Sequence, residues 1–376
     1  MNSLRRIRPC RFSTHAAAPE TSATPPNPTI QKAMTPLSFK TPAQLTRHLA
    51  KNVLAHAPGR FVVIQKPYGV SCVGQVQENG GVFGNSVHDE RKTERWAGTI
   101  KARTEEQVGV TIADCLKDLR KHFREPHLSF STGLKRYLSG AIVLPCNDKD
   151  ANVLKECIRR MSSNVEPPFM YNALAITIGR PAKSSGLITG FATFRNVGKH
   201  KEYIFEERKV TKRAKSGKFA VEGRMSYRVL DTKNGVSLID FSTDKFARHL
   251  PRLMLTQMSA PILGDTIYWR RLGDIDGTPE LISAGNRGHR ITLETPNRSL
   301  LTSLPVYCHV YNTIFEDVGG HEAHGLVAAA KPPQHFLTML DVLGLLPAYK
   351  SFKNQSEKPV DDGSTPTART SGDAVF

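Results

Sequence analysis

Two short stretches of the sequence carry side chains whose types and spacing could do chemistry. Lys135 and Arg136 stand side by side in "TGLKRYLSG", directly before the apolar run "AIVLPCN". A lysine amine can act as a nucleophile when its surroundings depress its pKa, whereas two adjacent cations can hold an anion. Further along, "ARHLPRLMLTQM" predicts a helix that carries His249 and Arg252. Both stretches carry basic side chains.

A third feature is a dense run of positive charge within "KHKEYIFEERKVTKRAKSGKFAVEGR". The chain has 52 Lys and Arg against 34 Asp and Glu, a formal net charge of +18, which favours a polyanion such as nucleic acid. A charge run is most often a solvated loop, but with this net charge it predicts contact with an RNA backbone. The basic residues at its centre are Arg208, Lys209, Lys212, Arg213, Lys215 and Lys218.

Other chemistries find little support in the sequence. The six cysteines form no CxxC pair, and the histidines form no HxH or HxxxH pattern. His321 and His324 in "GGHEAHG" come nearest to a metal-binding pair. No Gly-rich nucleotide-binding motif follows a strand, and no apolar run is long enough to span a membrane. We therefore expect no metal, no cofactor and no membrane span.

The first residues have the composition of a targeting segment. "MNSLRRIRPCRFSTHAAAPETSATPPNPT" is rich in Arg, Ser and Thr, has Glu20 as its single acid, and lacks the apolar core of a secretory signal. This composition is typical of a mitochondrial presequence and predicts a location in the mitochondrial matrix. A basic arm that contacts RNA directly is the alternative.

Periodicity indicates the elements that must position these residues. "TPAQLTRHLAKNVLAHA" predicts a helix with Thr41 as its N-cap and an apolar stripe that reaches Leu54. Strands are predicted for "RFVVIQKPYGV", "GAIVLPC" and "FMYNALAITIG", and Asn234-Gly235 predicts the turn of a hairpin. "ARHLPRLMLTQM" predicts a helix with Pro251 in its first turn.

Composition divides the chain into four parts. Residues 1–36 and 351–376 are dominated by polar residues, Pro and Ala, and are predicted to be disordered because they can bury little apolar surface. Residues 37–58 contain the N-terminal helix. Residues 59–350 alternate strand and helix patterns and predict one mixed α/β domain.

Six blocks, in order, resemble the RluA-type RNA pseudouridine synthases between Phe61 and about Leu346. "FVVIQKPYGV" resembles the opening strand and K-P-x-G turn, and "TGLKRYLSGAIVLPCN" occupies the place of the H-R-L-D-R-x-T-S-G block. The other four blocks are "FMYNALAITIG", "MSYRVLDTKNGVSLIDFSTDKFARHLPRLML", "SAPILGDTIYW" and "VYCHVYNTIF". The resemblance implies an α/β (α+β) domain with a mixed, mostly antiparallel sheet flanked by helices.

The resemblance also implies where a catalytic site would lie. Aligning the Ser-Gly of "TGLKRYLSG" with that of the family places Lys135 on the catalytic Asp and Arg136 on the following Arg. In the family this Asp acts at the sugar as an ionised carboxylate held by an Arg, without metal or cofactor. Arg252 stands at that Arg, and Tyr171 stands at the Tyr that packs by the target base. A lysine has neither the charge nor the geometry of the carboxylate.

Other positions of the implied site also differ from the family. Phe246, Ala247 and Arg248 stand where the family has G-R-T, and Met254 stands at its second His. The carboxylates nearest to Lys135 in sequence, each with the pattern of a helix surface or cap residue, are Asp114, Asp118 and Asp148.

The implied pairing places two cations together. Arg252 beside Lys135 would be repulsive, so one of them must reorient, lose its proton or bind an anion. An RNA phosphate is a natural anion, and we therefore expect Arg136, Arg248 and Arg252 to contact RNA, together with the basic run.

Three functions stay open at this point. The first is an RNA pseudouridine synthase that acts on mitochondrial mRNA or rRNA through an unusual nucleophile. The second is a catalytically silent RNA-binding protein that aids RNA folding or assembly of the mitochondrial ribosome. The third is a scaffold whose main partner is a protein in a mitochondrial RNA granule. The first two differ at Lys135, and the third predicts weak RNA affinity with little salt dependence.

Overall fold

The computed structural model describes residues 28–73, 109–163, 169–197, 200–207, 220–275, 278–283, 304–316 and 325–356. These ranges contain seven α-helices and twelve strands. The helices are α1 (Pro28–Met34), α2 (Pro42–Lys51), α3 (Ile112–Phe123), α4 (Asp148–Ser163), α5 (Leu250–Gln257), α6 (Gln334–Val342) and α7 (Leu346–Ser356). The strands are β1 (Val53–Ala57), β2 (Phe61–Lys66), β3 (Ser139–Pro145), β4 (Tyr171–Ile178), β5 (Ser185–Val197), β6 (His200–Glu206), β7 (Ala220–Lys233), β8 (Val236–Thr243), β9 (Arg270–Ile275), β10 (Thr278–Ser283), β11 (Cys308–Phe315) and β12 (Leu326–Ala329).

Ten strands form one sheet, in the order β1-β2-β3-β11-β4-β8-β7-β5-β6, with β12 paired to β11 outside this path. The described neighbours are antiparallel except β3 and β11, which run parallel where Ser139 pairs with His309 and Gly140 with Val310. The strands β9 and β10 form a separate hairpin. The predicted class, a mixed and mostly antiparallel sheet flanked by helices, is confirmed.

The sheet has a hydrophobic core on each face. In β4, Leu174 and Ile176 belong to one core and Ala173 and Ala175 to the other, as the two-residue repeat of a strand requires. The first core is closed by α1, α6 and α7, which contribute buried side chains such as Phe336. The second, larger core takes the buried faces of α2, α3, α4 and α5. The residues singled out for function lie against this larger core.

Two local predictions are confirmed. Asn234 and Gly235 link β7 to β8 with φ angles of 50° and 77°, the left-handed backbone that a tight two-residue hairpin needs. Pro251 lies in the first turn of α5, where its missing N–H costs no helical hydrogen bond.

The N-terminal helix is shorter than the sequence predicts. Thr41 caps α2, and its side-chain oxygen accepts a backbone N–H of the first turn, as expected. The helix ends at Lys51, however, and the chain from Val53 onward forms β1, which pairs with β2. The predicted stripe through Leu54 is wrong because strand pairing satisfies this backbone, and the Leu54 side chain is 37% exposed at the sheet edge.

Both predicted disordered ends are shorter than expected over the residues that the structure describes. Helix α1 begins at Pro28, Ala33 is fully buried against α6, and the Tyr307 hydroxyl donates to the Ala33 carbonyl over 2.9 Å. Helix α7 continues to Ser356, with Phe352 packed edge-on against Tyr311. The polar and Ala-rich composition of the two ends gave no indication that a few of their apolar side chains are buried. The other residues of the predicted presequence and of the predicted tail lie outside the described ranges. No described helix is long and apolar enough to cross a bilayer.

Removing residues 1–36 should destabilise the domain, whereas removing residues 1–27 should not. The longer deletion exposes the pocket of Ala33 and leaves the buried Tyr307 hydroxyl without its acceptor, a loss of at least about 2 kcal/mol. Urea denaturation of the two truncated proteins beside the full chain measures this difference. Equal unfolding midpoints for all three would show that α1 contributes nothing to the fold.

Candidate functional site

The loop that carries Lys135 is anchored to the turn after β2. The ammonium of Lys66, which is fully buried, donates to the Leu138 carbonyl over 2.6 Å and to the Pro67 carbonyl over 3.2 Å. Gly69 and Arg136 are joined twice: the Gly69 N–H donates to the Arg136 carbonyl, and the Arg136 Nε donates to the Gly69 carbonyl. The lysine-arginine pair therefore sits on a fixed loop, with Arg136 exposed at its surface.

The end of this loop packs against the central strand β11. A Cβ added at Gly140 would lie 2.5 Å from the Val310 carbonyl oxygen, so only glycine allows the two strands to approach so closely. The Ser139 hydroxyl lies 2.9 Å from the Nδ1 of His309, whose other ring nitrogen lies 3.0 Å from the Ala330 carbonyl oxygen. The position of Lys135 is thus tied to β3 and β11 together.

Tyr171, at the start of β4, lies on the floor of the site. Its side chain is buried, its hydroxyl interacts with Thr132 of the same loop, and burial raises the pKa of this hydroxyl to about 12. The ring of Phe246 lies edge-on to it, with 5.2 Å between centroids, and Phe246 is itself buried. The Tyr171 ring is therefore covered by a side chain of the same chain.

Arg252 is buried, and a carboxylate of the same chain neutralises its charge. Its Nε and Nη2 donate to the two carboxylate oxygens of Asp265, each over 2.6 Å. The rings of Tyr137 and Tyr268 lie 4.5 and 4.7 Å from its guanidinium carbon. Burial alone would lower the pKa of Arg252, but the charge and hydrogen bonds of Asp265 raise it above its ordinary value.

This arrangement supplies the anion that the sequence analysis expected beside Arg252. The anion is Asp265, thirteen residues further along the chain. Only 4% of the surface of Arg252 is exposed, and its contact with RNA stays a prediction. The predicted repulsion between Arg252 and Lys135 does not arise, because the carboxylate neutralises the guanidinium.

The turn that leads into α5 holds His249 in an unusual backbone conformation. Arg248 and His249 both adopt left-handed backbone, with φ of 48° and 58°, although neither is glycine. The His249 Nδ1 lies 3.2 Å from Arg252 Nη1, and its ring stacks at a tilt on Tyr268. Burial, followed by the charges of Arg252 and Lys135, lowers the pKa of His249 well below its usual value. Lys135 therefore lies within electrostatic reach of His249.

The three cations Lys135, Arg136 and Arg248 differ in how far they are exposed. Arg136 is exposed, Lys135 is half-buried, and the guanidinium of Arg248 lies 5.5 Å from the ring of Tyr203 on β6. The predicted RNA-contacting run, Arg208, Lys209, Lys212, Arg213, Lys215 and Lys218, lies outside the described residues, as do His321 and His324. Among the described residues, no group of three His, Cys, Asp or Glu side chains could hold a metal ion.

Two buried carboxylates near these residues, Asp244 and Asp265, are engaged by neighbouring groups. Asp244, whose charge reaches Tyr171, is buried, accepts the Arg224 N–H and lies 3.3 Å from the Lys245 ammonium. Asp265 is held by Arg252. Sequence reasoning missed the roles of Asp265 and Phe246, although the Gly-Asp of "PILGDTIYW" was a signal for the former. The three candidates nearest in sequence, Asp114, Asp118 and Asp148, lie on helices α3 and α4.

Comparison with family models finds no match for this chain, and comparison with curated proteins finds none either. Among solved structures, it is similar to human RNA pseudouridylate synthase domain containing 4, with a TM-score of 0.49 and 19% identity over 81% of this chain and 97% of that chain. It is also similar to human RNA pseudouridylate synthase domain containing 1, with a TM-score of 0.46 and 13% identity over 87% and 99% of the two chains. Because these scores and identities are low, the function proposed below rests on the residues of this chain.

Replacing Asp265 by asparagine should destabilise the protein by about 3–5 kcal/mol, because it leaves the buried Arg252 guanidinium uncompensated while keeping the side-chain shape. Asp231→Asn is the matched control, since Asp231 forms a partly exposed ion pair with Lys233 over 3.8 Å. That variant should change the free energy of unfolding by less than about 1 kcal/mol. Urea denaturation measures both, and similar small effects would show that the buried pair carries little stability.

The buried histidines predict a loss of stability in acid. Burial lowers the pKa of His309 and of His335 to about 4, below the value near 6.5 of an unfolded chain. As pH falls from about 6.5 to about 4, the unfolded state binds protons that the folded state excludes, so stability is lost across this window, on the order of 3 kcal/mol for each histidine. Urea denaturation at about pH 7 and about pH 5 measures the slope.

Two variants test whether a buried histidine causes this dependence of stability on pH. His335→Phe should flatten it, because the phenyl ring fills the same buried place beside Tyr68 without titrating. His122→Asn, at an exposed position of α3, should leave it unchanged. A slope that His335→Phe does not alter would place the acid sensitivity elsewhere.

Proposed function

We propose that this protein binds RNA on a pseudouridine-synthase-like scaffold and does not isomerise uridine. The observation that carries the proposal is that Lys135 stands where the resemblance places the catalytic Asp, while Arg252, at the position of its partner, is already paired with Asp265. The isomerisation that the resemblance implies needs an ionised carboxylate at the sugar, and a lysine offers a cation instead.

The covered state of Tyr171 supports the same conclusion. An enzyme that acts on a base must take that base out of its stack and hold it in a fitted pocket. Here the Tyr171 ring packs against Phe246 and the hydroxyl is engaged by Thr132, with 8% of the residue exposed. Phe246 is itself buried, so displacing it to uncover more of the Tyr171 ring would expose apolar surface.

Outward-facing charge supports RNA as the partner. Arg136 is exposed and Lys135 and Arg248 are half-buried, in a chain whose net charge is +18. Cations of this kind bind a phosphate backbone without reading its sequence. The composition of the N-terminus supports mitochondrial mRNA or rRNA as the RNA.

Release of tritium from uridine labelled at C5 tests the absence of isomerisation. The wild-type protein should release none from mitochondrial transcripts, and Lys135→Asp alone should also release none, because Asp265 still holds Arg252 and Phe246 still covers Tyr171. Release by the wild type would overturn the proposal. Release by Lys135→Asp alone would show that the remaining site is open and needs only a carboxylate.

Salt dependence of binding, measured on the same transcripts, tests the RNA partner. The affinity should fall linearly on a logarithmic salt scale, and Arg136→Gln and Arg248→Gln should each reduce the slope by about 1. Arg159→Gln is the matched control, because this exposed residue lies on α4 and pairs with Glu156. Weak binding without salt dependence would instead favour a scaffold whose partner is a protein.

A further inference from the structure

The described residues include one large aromatic side chain that stands open to solvent. Four large apolar residues in these ranges are exposed, and three of them are leucines; the fourth, Trp269, is 51% exposed. Single exposed apolar residues are common and need no function. What distinguishes Trp269 is how firmly its backbone is held and what surrounds it.

The backbone N–H and the backbone carbonyl of the residue before Trp269 are both hydrogen-bonded to side chains. The Tyr268 N–H donates to the Asp265 carboxylate over 2.9 Å, and the Tyr268 carbonyl accepts the Thr256 hydroxyl over 2.6 Å. The Tyr268 ring is buried against the Arg252 guanidinium. Trp269 therefore follows a hydrogen-bonded turn that adjoins the buried ion pair of Arg252 and Asp265. A side chain on such a support loses little entropy when it binds.

Positive charge lies next to this indole in sequence. Arg270 and Arg271 follow Trp269 directly and begin β9. β9 packs against α5 and β6, and Arg248 lies over the Tyr203 ring where those two elements meet. An exposed aromatic plane beside several cations matches the chemistry of single-stranded nucleic acid, which offers flat bases and a phosphate backbone together.

We propose that Trp269 is a stacking platform for an unpaired nucleobase of bound RNA, placed outside the covered pocket of Tyr171. The inference rests on the proposed RNA-binding function and deepens it, because it names a single-stranded segment as the ligand at this rim. Stacking accepts any base, since every base has a flat π-face, so the platform binds without selecting a sequence. A base held there need not enter the pocket that Phe246 covers.

Fluorescence and affinity together test this platform. The chain has two tryptophans, so a Trp96→Phe background isolates the emission of Trp269. Adding a short single-stranded oligouridylate should quench that emission, and a fully paired duplex of similar length should quench it less. Trp269→Ala should weaken binding of the single strand about 5- to 150-fold without changing the salt slope. Trp269→Phe should retain part of the affinity.

Leu187→Ala is the matched control, because Leu187 is 62% exposed and aliphatic, and its truncation should leave RNA affinity unchanged. If the single strand does not change the emission of Trp269 in the Trp96→Phe protein, and Trp269→Ala binds RNA with unchanged affinity and salt dependence, the platform would be overturned and RNA binding would stand. Loss of self-association in Trp269→Ala, with RNA affinity unaltered, would overturn it in favour of a protein interface. An absence of RNA binding by the wild type would refute the proposed function itself.

Discussion

The buried ion pair of Arg252 and Asp265 is the constraint on which the rest of the site depends. Two charges removed from water are tolerable only when their geometry satisfies both, and the two 2.6 Å contacts do so. The same carboxylate accepts the N–H groups of Ile267 and Tyr268 and thereby shapes the turn before β9. One interaction therefore neutralises a guanidinium, orients an aromatic ring and fixes a surface turn.

The site consists of a group of buried side chains and a loop at the protein surface. Inside, Tyr171, Phe246 and Arg252 are covered by neighbours from the same chain. Outside, the lysine-arginine pair stands on a loop that Lys66 and Gly69 hold in place. Of the positions aligned with the catalytic block, Tyr171 and Arg252 are buried, whereas Lys135 is half-buried on the outer loop.

Local signals predicted the fold better than they predicted the site. The Asn234-Gly235 turn and the Thr41 cap depend on neighbours in sequence, and both were readable. The end of α2 could not be predicted from adjacent residues, because Val53 belongs to β1, and the pairing of β1 with β2 ends the helix. The position of Arg252 on a helix was predictable, but its partner was not. A pairing across thirteen residues depends on the shape of the intervening turn.

The strand order has a consequence for how the chain acquires its structure. β11 lies between β3 and β4, yet it follows both by well over a hundred residues. Until it arrives, β3 and β4 each present an unpaired edge in the middle of the future sheet, and such edges invite pairing with other chains. Pairing between strands that lie far apart in sequence is slow. A chain made from its N-terminus therefore passes through a stage in which both of these edges are exposed, and such species are prone to aggregate.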